Sequence, residues 1–484
     1  MVSHDAWQHT FRMFSKKPIV VEPVEAQLTS DAGLLPIRQF DEVIGLTEAM
    51  GNALEDRRHP SWVQHAFHEM LRSRVFGILA DYEDQNDHDV LRSDPVFKLI
   101  AGRSPDANDL ASQPTLSRFE NAITVAMLRR LQDMFIDQFI ASFDTPPARL
   151  TFDIDTYDDP THGQQQLTFF HGYYDQYQYQ PRVITCAEND QVVMLCLLFG
   201  TAHAALGAED DVAYLVERLR EVWPDVDIEM RADSGFAVPR MYETCEQLRI
   251  WYTIGLKMNP VLQRESRELL DEAVARYDQT VEPQRLFNAF WYQAGTWQKP
   301  RFTVIKCEAN AQGTNRRAVI TNRRGAHVLP AATYDEYAER GESENRNKEL
   351  KRGLSADRLS DHRYMANLFR LYLHTAAHNL LVRLRQHIAQ PPQPEPLGAD
   401  HPPAELPVEA LAGGERKRYH NRRRTHDPLG EGQPCTWRSR LIKVAAEVVV
   451  TTRVIRIRLS SHWPFLDFFD HVCKAVTQPL LRPG

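Results

Sequence analysis

The sequence predicts a mixed α/β protein whose central sheet is interrupted by a β-rich insertion and preceded by a mostly helical region. Three observations lead there. Apolar residues recur at helical spacing early in the chain, as in Phe67, Met70, Leu71 and Val75. The period changes at Arg149, where Leu150, Phe152 and Ile154 alternate with Thr151, Asp153 and Asp155. Strand-like and helix-like segments then alternate as far as Leu256, the pattern of a sheet with helices packed on it. With 484 residues the chain is too long for one core and has material for two or three domains.

The helical region is expected over residues 1–148. Its first clear helix follows Pro60 and Ser61, and a second, with Ile123, Met127, Leu131 and Phe135 on one side, follows Pro114. Both stripes read as core. Arg118, Arg129 and Arg130 could meet phosphates, but a solvated helix face accounts for them better. The first part of the sheet domain covers 149–258. Its strands are expected at 149–156, 183–186, 192–199, 226–232 and 251–256, with 192–199 apolar enough to be central. Val212, Leu215, Leu219 and Val222 mark an amphipathic helix between them, and 239–248 a second.

Residues 259–333 break the alternation. They are rich in aromatics (Phe287, Phe290, Trp291, Tyr292, Trp297), with strand-like runs at 302–307 and 318–321, and read as the β-rich insertion. Residues 334–389 return to helix and complete the core, the last helix running from Ala366 to Ile388. Residues 390–434 are expected as a proline-rich, extended linker with ERKRYHNRRRTH, a cationic run that in a nucleic-acid protein would serve as a phosphate-binding arm. The C-terminal basic region, 435–484, is strand-like over 436–459 with interleaved arginines and ends in a short amphipathic helix over 464–476.

Composition narrows the function classes. The net charge of −8 excludes a globally basic nucleic-acid binder, so any such site must be a local patch. Six scattered cysteines without a C-x-x-C argue against a zinc module or a disulfide framework and suit a reducing cytoplasm. The opening MVSHDAWQHTFRMF has no apolar stretch of the kind a secretion signal needs, and the longest apolar run, 192–199, is too short to span a bilayer.

The chemistry is concentrated in YDEYAERGESENRNKELK, residues 334–351, expected as one helix. At about 100° per residue, Tyr337 and Lys351 lie about 20° either side of Glu344 and Arg340 about 40° away, whereas Glu342 and Glu349 point off by about 140° or more. One acid among cations on a narrow stripe suits a metal ligand working beside phosphates; a solvated helix laced with Glu/Lys pairs is the competing reading. Two strand ends upstream favour the first. Asp155 closes one strand and Asp233, in RADSGF, closes a later one. Three carboxylates brought together are costly without cations. Mg²⁺ or Mn²⁺ takes such oxygens, and two ions serve in-line displacement at a phosphodiester. Arg340 and Lys351 would hold phosphates, and Tyr337 would stack on a base or bond a phosphate. Asp153 shares a face with Asp155 and could replace it, and Asp233 could be a helix cap.

The motifs FDIDT (152–156), HGYYDQYQYQP (171–181), RADSGFAVP (231–239), YAERGESENRNKELK (337–351) and LSADRLSDHRYMANLFRLYLH (354–374) resemble those of insertion-sequence DDE transposases of the Tyr-Arg-Glu-Lys motif group, branch thirteen-eighty. The resemblance covers most of the chain. It implies a ribonuclease-H-like, retroviral-integrase-like catalytic core with a β insertion before the last acid. It also implies cut-and-paste movement of DNA: hydrolysis at terminal inverted repeats, then strand transfer by the freed 3′-hydroxyl. Asp155, Asp233 and Glu344 then take two Mg²⁺ or Mn²⁺ ions, and Tyr337, Arg340 and Lys351 take DNA near the cut. Trp291 or Trp297 would receive a flipped base, against a core role for either. A homodimer on DNA in the cytoplasm, associated with the nucleoid, is expected. The rival readings are a catalytically inactive, transposase-derived DNA-binding protein, and a nuclease of the same fold without strand transfer.

Overall fold

The computed structural model describes residues 7–13, 16–172, 174–323, 329–388 and 433–477. The expected linker and cationic arm, 390–432, lie outside these residues. The chain opens with a small hairpin, β1 (His9–Phe11) and β2 (Ile19–Val21), and the short strand β3 (Leu28–Thr29). Seven helices follow: α1 (Leu34–Ile44), α2 (Leu46–Ala53), α3 (Phe67–Leu79), α4 (His88–Leu91), α5 (Pro95–Ala101), α6 (Gln113–Asn121) and α7 (Val125–Ile140). The expected stripe Ile123–Phe135 starts in earnest at Thr124, whose hydroxyl accepts the Met127 amide and caps α7.

The main sheet begins with β4 (Arg149–Thr156), β5 (Asp159–Pro160), β6 (Phe169–His171), β7 (Gln176–Cys186) and β8 (Val192–Phe199). After α8 (Ala208–Val222) come β9 (Asp227–Ala232), α9 (Pro239–Gln247) and β10 (Trp251–Leu256). Strands lie in the order β8-β7-β4-β9-β10, so β8, expected as central from its apolar run, pairs with β7 alone among the described residues; β4, β9 and β10 run parallel, and β7 runs antiparallel to both β4 and β8. Alternation sorts β4 cleanly. Leu150, Phe152 and Ile154 enter a core shared with Ile136 and Phe139 of α7, Val212 and Leu215 of α8 and Tyr242 of α9. Thr151, Asp153 and Asp155 leave on the opposite face.

The insertion does not stand apart from this sheet. After α10 (Pro260–Glu265) and α11 (Arg267–Thr280), β11 (Gln284–Tyr292), β12 (Arg301–Asn310) and β13 (Gly313–Thr321) form a meander. β13 pairs antiparallel with β10, so the sheet reaches ten strands among the described residues. Helix α12 (Pro330–Ala338) lies over this extension, with Tyr334 packed against Val304 and Val319. Next come α13 (Gly341–Lys348), one wide helical turn (Glu349–Gly353) and the long α14 (Tyr364–Ile388).

The single helix expected over 334–351 is therefore broken. Gly341, a poor helix former, stands at the break, and the Glu344 amide reaches the Arg340 carbonyl only at 3.4 Å. The tail also differs from expectation. Its first part is helical, α15 (Pro434–Trp437) and a wide turn (Arg438–Ile442), because Trp437, Leu441 and Ile442 are buried at helical spacing. Only β14 (Ala446–Val450) and β15 (Ile455–Leu459) are strands, and α16 (Leu466–Thr477) is the expected terminal helix. β14 pairs with β3, and Trp437, Leu441, Val472 and Val476 join one core with α1, α3 and α14. Among the described residues no helix is long and apolar enough to cross a membrane.

Candidate active site

The site forms where parallel strands end beneath a helix. Ile154 of β4 pairs with Ala232 of β9, so Asp155 and Asp233 follow at neighbouring strand ends. Asp155 accepts the Thr156 amide on Oδ1 at 2.9 Å. Its Oδ2 accepts Arg340 Nη1 at 3.1 Å and Asn347 Nδ2 at 3.3 Å. Arg340 Nη2 donates to Glu344 Oε1 at 2.9 Å. One guanidinium thus bridges the β4 acid and the α13 acid. Asp233 is half-buried, and its Oδ1 accepts the Gly235 amide at 2.8 Å. The cap expected as an alternative use of Asp233 therefore exists, on the short turn Ser234–Phe236.

Burial pushes the Asp155 carboxyl up to about 6; Arg340 opposes that rise, while the negative charges of Asp233 and Glu344 add to it. Tyr337 is drawn into the same field. Burial raises its phenol, Arg340 pulls it down and Asp233 raises it. Its ring reaches the site because residue 255 is glycine: a Cβ there would sit 2.6 Å from Tyr337 Oη and 3.3 Å from the Asp233 carbonyl carbon. Lys351 lies beyond, its Nζ 2.5 Å from Asp158 Oδ1. The break in the helix thus leaves Tyr337, Arg340 and Glu344 together, while the wide turn sends Lys351 to Asp158.

Asp153 has a different partner. It is 1 % exposed and holds Arg231, itself 4 % exposed, through two bonds of 2.8 and 2.7 Å. Arg231 also donates to the Glu336 carbonyl at 2.7 Å, which ties α12 to the sheet. Glu349, off the stripe as expected, is buried against Arg346 at 2.6 and 2.8 Å, and burial pushes its carboxyl up to about 7. Helix α13 consequently rests on Ser343, Arg346 and Asn347, a polar seat.

The two tryptophans separate. Trp297 is buried against Tyr242 and Tyr292 with Arg301 over its ring, which makes it core and leaves no face for a base. Trp291 is 64 % exposed on the edge strand β11. Sequence reasoning missed Asn347, which α-helical spacing of three from Glu344 could have found, and Arg231, which only the register between β4 and β9 places beside Asp153.

Three carboxylates are the oxygen donors a hard divalent cation takes. As they stand, no three Asp, Glu, His or Cys side chains among the described residues are close enough to share an ion. The Arg340 guanidinium supplies the positive charge between Asp155 and Glu344 instead. The expected cluster is therefore an electrostatic group bridged by arginine and not a closed cage.

No curated protein matches the chain. A solved structure, described as a cryo-EM structure of a piggyBac transposase synaptic complex with hairpin DNA, is similar at 14 % identity and a TM-score of 0.39, covering 74 % of this chain and 77 % of that one. The family described as Transposase DDE domain group 1 matches residues 11–394. That span takes in all three acids and most of the chain, which accordingly belongs to the transposases with a group 1 DDE domain.

Proposed function

We propose that the chain is the DNA transposase of an insertion sequence, cutting at terminal inverted repeats and joining the freed end to target DNA. The carrying observation is the Arg340 bridge, which puts Asp155 and Glu344 on one guanidinium beside the strand end that holds Asp233. The strand order β8-β7-β4-β9-β10, with β4, β9 and β10 parallel, supports a ribonuclease-H-like core for it. The proposed domain limits are those of the sequence: helical region to 148, core in two parts around an insertion at 259–333, and a basic C-terminal region after 434.

Asp155, Asp233 and Glu344 would hold two Mg²⁺ or Mn²⁺ ions. When bound, such ions activate the attacking water or 3′-hydroxyl and stabilise the leaving oxygen. The chain's own part is to clear and aim the site. Arg340 leaves the two acids for a phosphate of the incoming DNA, whose two free oxygens one guanidinium can hold as a fork. Lys351 exchanges Asp158 for another phosphate. Tyr337, wedged against Gly255, keeps the helix at a set height above Asp233. Asn347 keeps Asp155 turned toward the site. Of the two tryptophans only Trp291 remains available to DNA, and the complex would be a homodimer acting near the nucleoid.

Glu344→Gln tests the reading. End cleavage in Mg²⁺ is expected to vanish while binding of the end persists. Cleavage at a near-normal rate would reject the assignment. Feeding a pre-cleaved end plus target DNA to the unsubstituted protein separates a transposase from a nuclease, because only the former yields a joined product.

A further inference from the structure

A groove of about 400 Å³ opens at the edge of the catalytic sheet, away from the acids. Arg249, Trp251, Trp291, Lys299 and Arg323 line it, with Glu246 as the acid among its lining residues. Among the lining residues four cations, Arg249, Lys299, Arg301 and Arg323, stand against the single acid Glu246, on a chain whose net charge is −8. Trp291 is 64 % and Trp251 37 % exposed. Lys299 reaches Glu246 at 2.9 Å, and Arg323 pairs with Glu229 and Glu336. Arg249 is exposed in the turn that leads into β10, with a left-handed backbone (φ 54°).

The register places this groove relative to the acids. Asp153 pairs with Arg231, Arg231 with Thr253, Thr253 with Thr321, Thr321 with Phe302 and Phe302 with Trp291. Residues aligned across a sheet share a face. Trp291 therefore lies on the face from which Asp153 and Asp155 emerge, five strands away. At about 4.8 Å per strand, and two residues along, Trp291 stands about 25 Å from Asp155. A base flipped at the scissile phosphate is out of its reach.

We infer that this groove is a second DNA site, taking a phosphate on Arg249 and Lys299 and the adjoining sugar or base against Trp291 and Trp251, about seven base pairs from the cut at about 3.4 Å per pair. The inference rests on the transposase reading for its ligand class; its location comes from the register and its chemistry from the lining. Exposed aromatic faces between cations suit a nucleic-acid strand, since stacking tolerates any base and the cations displace counterions.

The test uses the full chain and two duplexes copied from the inverted repeat beside the coding region. One runs about 5 and the other about 15 base pairs inward from the cut, short of and past the groove. The unsubstituted chain is expected to bind the longer duplex more tightly. Arg249→Gln/Trp291→Ala is expected to weaken the longer duplex about tenfold, to lower its salt slope by about one and to leave the shorter unchanged. Trp291→Phe alone should retain most of the length preference. Equal loss on both duplexes, or no loss, overturns the groove while leaving DNA binding intact. Failure of the unsubstituted chain to bind either duplex overturns the groove and the transposase reading together.

Discussion

Asp153→Asn separates the two aspartates of β4 by what each does. The substitution keeps the shape of the side chain and removes its charge. In the native chain Asp153 faces Arg231 across two bonds of 2.8 and 2.7 Å, with the pair 1 % and 4 % exposed. Breaking a buried pair by neutralising one partner costs about 3–5 kcal/mol, because the other charge is left without compensation. Arg231 keeps the Glu336 carbonyl at 2.7 Å and Glu339 at 3.7 Å, so the lower end, about 3 kcal/mol, is expected. That is a large share of the 5–15 kcal/mol that usually holds a domain together. Urea unfolding followed by circular dichroism should show a lower midpoint with an unchanged slope. The folded variant should still bind Mn²⁺ like the unsubstituted chain. A loss below about 1 kcal/mol, or a stable fold that no longer binds Mn²⁺, would refute the division of labour between Asp153 and Asp155.

Two further outcomes follow from the same geometry. Asp155 has the opposite signature: its folded carboxyl, near 6, lies above the ordinary 3.8, so the fold favours the protonated form. That contribution is complete below pH 3.8 and is lost as the pH rises through 6, which at about 1.36 kcal/mol per unit amounts to at most about 3 kcal/mol. In EDTA, Asp155→Asn should therefore be more stable than the unsubstituted chain at pH 8 and should lack this pH dependence; identical pH slopes in urea midpoints would contradict it. Gly255→Ala should cost about 1–3 kcal/mol by forcing Tyr337 off the Asp233 loop, and Gly255→Ala/Tyr337→Phe should recover most of the loss. A neutral Gly255→Ala would show that the 2.6 Å approach is not limiting.

Periodicity was enough to locate most elements, because it reports which face of a segment is buried. The alternation of 149–156, the stripe of 208–222 and the long helix ending at Ile388 all appear where their patterns put them. The same period could not choose between Asp153 and Asp155, which share a face. Arg231, 78 residues away, makes that choice by claiming Asp153. Composition marked Trp291 and Trp297 alike, and packing separates them: one is sealed against Tyr242, the other lies on an edge strand.

What the sequence determined by itself was local: strand or helix, inward or outward, and the position of each acid at the end of its element. The tertiary structure alone decided the pairings between distant segments. It set the insertion strands onto β10, folded the tail back onto β3, and placed Arg340 between Asp155 and Glu344, two acids 189 residues apart along the chain. The reason is physical. A side chain's period is imposed by its own backbone, whereas its partner is imposed by whichever segment closes the core against it.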